Sequence, residues 1–226
     1  MATFTIRETE GMRQLRIDIA DERVRARKGA MSNTRGDVRL IPMVPGPMDI
    51  IRSVYNDEAR IRPWYDGTGT ILLQPSLAGY HLLNITPDET WVLEPGVYWA
   101  SEGTVKLGLH RDPILTSYFL GDGFLDWKTA VSGSGCVAIN APGPVELVDV
   151  ADGAFRAQGR IVLGRTKALK FTSDRPASFP RHWISGQSRL RVFEGTGKVL
   201  VCFTPFWNDF MYKKMTGETI SRSLFE

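Results

Sequence analysis

The sequence feature that most constrains the fold is a short glycine motif that occurs three times. The motif reads GTGTILLQ from Gly67, GSGCVAIN from Gly133 and GTGKVLVC from Gly195. Each copy joins a Gly-Ser/Thr-Gly to an apolar run. The offset between copies is 66 from Gly67 to Gly133 and 62 from Gly133 to Gly195. A motif that returns at a nearly constant period indicates a chain built from tandem structural modules.

A second marker has the same period. The segment GDVRL from Gly36 resembles GTVKL from Gly103 at an offset of 67, and in the third repeat this element is degenerate around 164–169. The pattern predicts one compact domain with three repeats and a C-terminal aromatic tail. The expected bounds are 1–226 for the domain, roughly 15–81, 82–146 and 147–207 for the repeats, and 208–226 for the tail.

Short alternating runs, rather than helical periodicity, fill these modules. Leu15, Ile17 and Ile19 alternate with polar residues, as in a strand with one face in water. The 22 Gly and 13 Pro leave little room for long helices. The basic run RVRARK from Arg23 is either a nucleic-acid patch or the outer face of a strand, and its period of two favours the strand. The sequence predicts an all-β fold of three tandem modules with internal pseudo-threefold symmetry.

The glycine motifs allow two interpretations. A phosphate-binding loop requires a helix directly after its glycines, because the helix N-terminus holds the anion. The residues that follow each motif are instead apolar and rich in β-branched side chains, as in strands. We therefore expect tight β-turns in which the glycines adopt positive φ angles. These glycines are Gly67, Gly69, Gly133, Gly135, Gly195 and Gly197.

Side chains that could carry chemistry are few and scattered. The three histidines, His81, His110 and His182, form no pair at metal-ligand spacing, and no serine stands in a nucleophile motif. The two cysteines, Cys136 and Cys202, are too few for a disulfide framework, and we expect both to be buried thiols. The sequence predicts no catalytic residues, no metal and no cofactor, and hence a protein that is not an enzyme.

Charge and hydropathy bear on where in the cell the chain is expected. The net charge of +3 comes from 28 basic and 25 acidic residues that are interspersed. No apolar run is long enough to cross a bilayer as a helix. The first residues lack the apolar stretch of a signal peptide, and Glu8 and Glu10 are atypical of a mitochondrial presequence. A cytoplasmic location is the expectation.

The C-terminal segment concentrates aromatic side chains. Three roles are compatible with such a segment: covering the open end of the fold, docking a partner subunit or touching a membrane surface. The two lysines that follow are few for a membrane-binding helix. Capping or self-association is therefore favoured over peripheral membrane contact. The residues expected to form this interaction surface are Phe206, Trp207, Phe210, Met211 and Tyr212.

The order of the glycine markers resembles the altered inheritance of mitochondria protein 24 family, from about Leu15 to Phe203. The segments that carry the resemblance are GAM at 29–31, GDV at 36–38, PGVYWAS at 95–101, SGSGCVA at 132–138 and LVDV at 147–150. The resemblance implies three tandem modules similar to the tryptophan RNA-binding attenuation protein, each a β-sandwich or short double-stranded β-helix-like unit. It also implies no established enzymatic activity and offers no catalytic residues.

The tryptophan RNA-binding attenuation protein uses basic residues at the edge of its ring to bind RNA, and it binds free tryptophan between subunits. Arg39 and Lys106 are equivalent by the offset of 67, but the third repeat offers no clear counterpart. Nucleic acid is therefore not expected as a partner. The expected function is a non-catalytic, homo-oligomeric scaffold or assembly protein with an unknown protein partner. The alternative is a regulatory protein that binds a small molecule or RNA.

Overall fold

Most of the residues that the structure describes lie in β-strands, so the all-β prediction is confirmed. The structure, a computed structural model, describes residues 2–42, 62–76, 79–120, 127–158, 161–175 and 189–204. Within these stretches lie one short helix, α1 (Ile114–Phe119), and fourteen strands. The strands are β1 (Thr3–Thr9), β2 (Met12–Ala26), β3 (Met31–Ile41), β4 (Trp64–Leu73), β5 (Tyr80–Ile85), β6 (Trp91–Leu93), β7 (Tyr98–Glu102), β8 (Lys106–Arg111), β9 (Trp127–Ser132), β10 (Gly135–Asn140), β11 (Glu146–Gln158), β12 (Val162–Thr166), β13 (Lys170–Asp174) and β14 (Leu190–Val201).

The chain divides into two compact units. Unit 1 contains Met1–His110 and Trp127–Gly143, and unit 2 contains Arg111–Asp126 and Pro144–Glu226. The change of unit after Gly143 lies close to residue 147, where the third repeat was expected to begin. The expected boundary between the first two repeats, at 81/82, falls inside β5, and both of these repeats lie mostly in unit 1. The division into three repeats stays a prediction.

The main sheet of unit 1 has the strand order β3-β4-β2-β7-β10-β5, with β1 also paired to β2. The strands pair antiparallel, and β6, β9 and β8 form a second hydrogen-bonded group in the same unit. One face of the main sheet carries the apolar core. Its largest members are Phe4, Leu15, Ile17, Ile19, Tyr65, Ile71, Leu73 and Tyr80.

The central strand β2 keeps one buried face along 15 residues because it contains a β-bulge. The register with β4 shifts between Ala20 and Glu22, and Asp21 adopts a positive φ of 60°. The extra residue moves the buried positions from odd to even numbers, so Val24 and Ala26 join the core side. The strand interpretation of the basic run is thereby confirmed for its first four residues, 23–26.

The glycine motifs lie within or between long strands, and the tight-turn prediction is wrong for four of the six glycines. Gly67 and Gly69 lie inside β4, and Gly195 and Gly197 lie inside β14. Gly133 lies at the bend between β9 and β10, and Gly135 begins β10. The positive φ angles are confirmed at five of these positions, and Gly197 is the exception.

Close approach of the neighbouring strand β3 explains why β4 requires glycine at these positions. A Cβ on Gly67 would lie 2.1 Å from the carbonyl oxygen of Asp37 on β3. A Cβ on Gly69 would lie 2.1 Å from the carbonyl oxygen of Arg35 on the same strand. Both distances are far below van der Waals contact, so β3 can pair with β4 in this register only where β4 lacks side chains.

Unit 2 is organised around β14. The strand pairs with β11 along one side and with β12 and β13 along the other. The Phe171 and Phe193 rings stack at a centroid distance of 5.2 Å, which is within the range of favourable aromatic pairs. A bulge like that of β2 occurs in β11, where the register shifts between Val150 and Gly153 and Asp152 has a φ of 47°.

The steric role of Gly67 predicts a large loss of stability for Gly67→Ala. In an ordinary strand, Gly→Ala is neutral or stabilising, but here the Cβ meets a backbone oxygen at 2.1 Å and φ is 120°. We expect the free energy of unfolding to fall by at least about 2 kcal/mol, measured by urea denaturation. Gly108→Ala in β8 is the control, because its Cβ would have an ordinary contact at 3.8 Å. Equal stability of the two variants would contradict the steric explanation.

Candidate functional site

The outer edge of β3 is the candidate functional site. The strand is 11 residues long, and all of its residues except Val38 are exposed. Hydrogen bonds to β4 run along its whole length, from the pair Met31 and Leu73 to the pair Ile41 and Trp64. In the described part of the chain, β4 is the one strand that pairs with it. An exposed strand edge carries a row of backbone N–H and C=O groups that a further strand can pair with.

The side chains of β3 are apolar at both ends and charged in the middle. Met31, Leu40 and Ile41 are 37%, 49% and 38% exposed, which is high for large apolar residues. The central residues include Asp37 and Arg39, whose charged groups lie 3.6 Å apart in solvent. Natural proteins protect long edges with charges, prolines or bulges. The charges of β3 protect its centre, whereas its ends keep apolar contact area.

The two residues of the predicted RNA edge lie on different strand groups. Arg39 is on β3 in the main sheet of unit 1, and Lys106 begins β8 in the other group. Both side chains are exposed, but Asp37 offsets part of the charge of Arg39. A phosphate-binding stripe requires basic residues along one continuous surface. These two residues do not form a stripe along one ladder of strands.

Buried polar groups form a cluster inside unit 1. The Arg62 guanidinium lies 4.5 Å from the centroid of the Tyr98 ring and donates a hydrogen bond of 2.7 Å to Thr129 Oγ1. The Tyr98 hydroxyl lies 2.9 Å from Ser101 Oγ. Burial raises the pKa of the Tyr98 phenol, which therefore stays neutral around pH 7. The residues of the cluster are buried and present no acid or base to solvent.

The Arg25 side chain belongs to the same region. Its guanidinium stacks 3.8 Å from the centroid of the Trp64 ring. Burial lowers the pKa of Arg25, and the nearby charge of Arg62 lowers it further. An arginine remains protonated even after such a shift. The ring contact therefore stabilises a cation that the fold partly removes from water.

Each unit also contains a buried ion pair. In unit 1, Lys128 is 1% exposed and its Nζ lies 2.5 Å from Glu94 Oε1. In unit 2, Arg165 pairs with the buried carboxylate of Asp112 and lies 5.4 Å from the Phe171 ring. A buried charge whose partner is removed costs several kcal/mol, so these pairs hold the packing in one arrangement. A lysine held in this way is not available as a nucleophile.

The two cysteines are buried free thiols, as predicted. Burial, together with the charge of Glu102, raises the pKa of Cys136 to about 11. Because the thiolate is the reactive form, this thiol is inert near neutral pH. Burial also lowers the pKa of His81, which is therefore neutral at pH 7. Over the residues that the structure describes, no three His, Cys, Asp or Glu side chains meet in a group that could hold a metal ion.

A family model described as "Mitochondrial biogenesis AIM24" matches residues 4–202. The chain belongs to the AIM24 family. This confirms the resemblance carried by the glycine markers. No curated protein matches the sequence.

Among solved structures, the AIM24 chain is similar to a crystal structure of a Streptococcus pyogenes protein from a structural genomics consortium. The two sequences are 18% identical, and the match covers 94% of this chain and 99% of that chain with a TM-score of 0.68. At this identity the likeness shows a shared fold. It carries no information on a substrate or a partner.

Two further expectations concern the C-terminal aromatic residues of this AIM24 chain and its relation to membranes. The aromatic residues Phe206, Trp207, Phe210, Met211 and Tyr212 lie outside the described residues, so their role stays a prediction. Among the residues that are described, no helix has the length and apolar character needed to cross a membrane.

The edge of β3 was missed by sequence reasoning, although part of its sequence was used. GDVRL from Gly36 served as a marker of the repeat, and its position at an edge was not considered. The available signal is the polar run SNTRGD at 32–37, which lacks the alternation of a half-buried strand. A polar run without alternation is typical of a strand that is exposed on both faces.

The burial of Cys136 predicts slow alkylation in the folded protein. With a pKa of about 11, the thiolate fraction at pH 8 is about one in a thousand, against roughly a quarter for an unfolded thiol. We expect iodoacetamide to modify Cys136 at least about a hundredfold more slowly in the folded protein than in urea, measured by mass spectrometry. In the Cys136→Ser variant, Cys202 is the one remaining cysteine, so its modification can be distinguished from that of Cys136. Modification of Cys136 at similar rates in both states would contradict its burial.

Proposed function

We propose that this AIM24-family chain is a non-catalytic, homo-oligomeric scaffold that assembles through exposed strand edges. The observation that carries the proposal is the exposure of β3 along nearly its whole length. A strand edge offers main-chain hydrogen bonds in a fixed direction, which is a common basis for protein association. Apolar residues at both ends of β3 add contact area.

The state of the reactive side chains supports a role without catalysis. The amine of Lys128 is held by Glu94, and the Cys136 thiol is protonated at neutral pH. Enzyme active sites place such groups in clefts with the pKa near the working pH. Here burial and pairing move them away from reactivity, as expected where they stabilise packing.

A second part of the proposal is that three tandem modules build the scaffold. One support is a hydrogen bond that occurs in two repeats. The Asp21 N–H donates to Thr68 Oγ1 at 3.1 Å, and the Asp152 N–H donates to Thr196 Oγ1 at 3.2 Å. In both places, the donor is the bulged aspartate and the acceptor is the middle residue of a Gly-Thr-Gly motif.

Steric requirements at the motifs provide a second support for the modules. A Cβ on Gly135, in the second motif, would lie 2.8 Å from Glu102 Oε2 and 2.9 Å from Thr104 Oγ1. A Cβ on Gly197, in the third, would lie 2.2 Å from Thr166 Oγ1. Together with Gly67, all three motifs thus contain a glycine at which a neighbouring segment approaches closely. A common steric role is what repeats of one ancestral unit are expected to share.

The remaining features of the proposal are a cytoplasmic location and an aromatic C-terminal segment that caps the fold or contributes to assembly. The alternative, a regulator that binds RNA or a small molecule, needs a continuous basic surface or a ligand cleft. The position of Asp37 beside Arg39 reduces the attraction of this edge for phosphate.

The proposal predicts that the purified protein is an oligomer in solution. Light scattering should give a multiple of the 25.3 kDa chain mass, and deletion of 206–226 should lower that mass if the aromatic segment contributes. Circular dichroism of the shortened chain controls for loss of folding. A monomer across the micromolar range would overturn the scaffold role. An unchanged mass after deletion would remove only the aromatic segment from the proposal.

Retention on immobilised RNA separates the scaffold from the alternative. Phosphate contacts release counterions, so RNA binding should weaken steeply as salt increases. For the scaffold we expect weak retention that is independent of salt between about 50 and about 200 mM, a range in which about six phosphate contacts would lose about a thousandfold in affinity. Strong, salt-dependent retention that is lost in Arg39→Glu would favour the RNA-binding alternative.

A further inference from the structure

We infer that β3 pairs antiparallel with β3 of a second copy of this chain, about a twofold axis at Gly36. The inference rests on the proposed oligomeric function and names the surface and the partner that carry it. Isologous contacts of this kind are the most common way in which identical chains associate. The partner is indicated by the self-complementary charge pattern of the strand.

The register follows from the length and the charges of the strand. A β-bulge between Met31 and Asn33 places two residues of β3 opposite one residue of a partner strand, so the longest antiparallel overlaps of two copies centre on Gly36 or on Asp37. The axis at Gly36 matches the charges. Arg35 then lies opposite Asp37 of the second copy, and Asp37 lies opposite Arg35. At the two ends, beyond the bulge, Met31 lies opposite Leu40 of the second copy. The register therefore joins two opposite-charge pairs at the centre and two apolar pairs at the ends, and such cross-strand pairs stabilise a sheet.

Neighbouring registers are less favourable. An axis at Asp37 would place this carboxylate opposite itself and Arg35 opposite Arg39, and directly opposed like charges are destabilising. An axis at Arg35 would oppose the two Arg35 side chains in the same way. An axis at Val38 would pair Asp37 with Arg39 but would shorten the overlap to 35–41 and remove the contact of Met31 with Leu40. Charge and overlap together favour the axis at Gly36.

The existing structure of β3 fits this pairing. The Asp37 carboxylate already lies 3.6 Å from Arg39 of its own strand, so Arg35 of the second copy would complete a network of three charges. At the axis, Gly36 has a φ of 96°, and a Cβ there would point at the Thr68 carbonyl oxygen at 2.7 Å. Glycine thus serves the contact with β4, and it leaves no side chain at the axis to separate the two copies.

Charge reversal tests the pairing. R35D and D37R each turn both central pairs from attraction into repulsion, whereas the double variant R35D/D37R restores opposite charges across the axis. We expect each single variant to weaken association at least about tenfold, and the double variant to recover to within about threefold of the unmodified protein. Association is measured by analytical ultracentrifugation, and circular dichroism verifies folding.

A matched control uses another exposed ion pair. The Arg13 and Glu8 side chains lie 3.4 Å apart on the neighbouring strands β2 and β1, and they are 41% and 59% exposed. The variants E8R, R13E and E8R/R13E change the same charges outside the proposed interface. We expect them to leave the association constant within about twofold of the unmodified value, since exposed pairs contribute little to stability.

Cysteine cross-linking tests the register. In the proposed pairing, Asn33 lies opposite Arg39 of the second copy, so chains carrying N33C and chains carrying R39C should cross-link when mixed. Neither variant alone should form the link, because residues 33 and 39 do not oppose themselves. Opposed Cβ atoms lie about 4.5–5.5 Å apart, within reach of a short bis-thiol reagent.

The outcomes separate this inference from the proposed function. If the unmodified protein is a monomer, both the scaffold function and the β3 pairing are overturned, and the edge of β3 is then open to a strand of a different protein. An oligomer whose association is unchanged by R35D and D37R, or is weakened by them without recovery in the double variant, overturns the β3 pairing while the scaffold function stands. Cross-linking that is equally efficient in N33C alone overturns the register.

Discussion

The contact on which the fold of unit 1 most depends is the approach of two backbones at Gly67 and Gly69. Carbonyl oxygens of β3 occupy the space that side chains of β4 would need, 2.1 Å from each missing Cβ. Because β3 pairs with β4 along its whole length, this approach determines where β3 lies. It also determines which edge of β3 faces solvent. The surface that we propose for assembly is therefore a consequence of glycines on the strand behind it.

The bulges at Asp21 and Asp152 solve a related problem. With strict alternation along β2, Val24 and Ala26 would point to the face opposite that of Leu15, Ile17 and Ile19. One extra residue in β2 and one in β11 restore the buried face, and in each case a threonine hydroxyl accepts the bulged N–H. The N–H group of the bulged residue is therefore not left unpaired. Backbone irregularity, rather than a loop, lets these strands of 15 and 13 residues stay continuous.

Sequence reasoning predicted the features that depend on local pattern. The alternation of Leu15, Ile17 and Ile19 identified β2, and the glycine motifs identified five residues with positive φ. It placed these glycines in turns because a hairpin turn and a close backbone approach both favour glycine beside β-branched residues. The choice between them depends on β3, which pairs with β4 across a long intervening segment of chain. Such a contact between distant segments leaves no mark in the local sequence.

The alternation of residues also does not show where a strand lies within its sheet. Leu107 and Leu109 alternate with Gly108 and His110 in β8, as in a strand with one buried face, yet Leu109 is 44% exposed. Among the described strands, β8 ends its group and has a strand neighbour on one side. β3 shows the converse, since its polar sequence fits a position exposed to solvent. Periodicity identifies a strand, but its neighbours decide what its faces contact.

The distribution of charge between interior and surface bears on what kind of recognition the chain can perform. Lys128 and Arg165 are buried and paired, and replacing either partner would leave a charge in a medium that solvates it poorly. These groups are therefore committed to packing, whereas the exposed charges of β3 lie in solvent and can be shared with a second chain at little desolvation cost. Recognition by such an edge uses backbone hydrogen bonds for affinity and a few charges for register. In the pairing that we propose, specificity comes from the order of Arg35, Gly36 and Asp37, because an antiparallel second copy places its Asp37 opposite Arg35 and its Arg35 opposite Asp37.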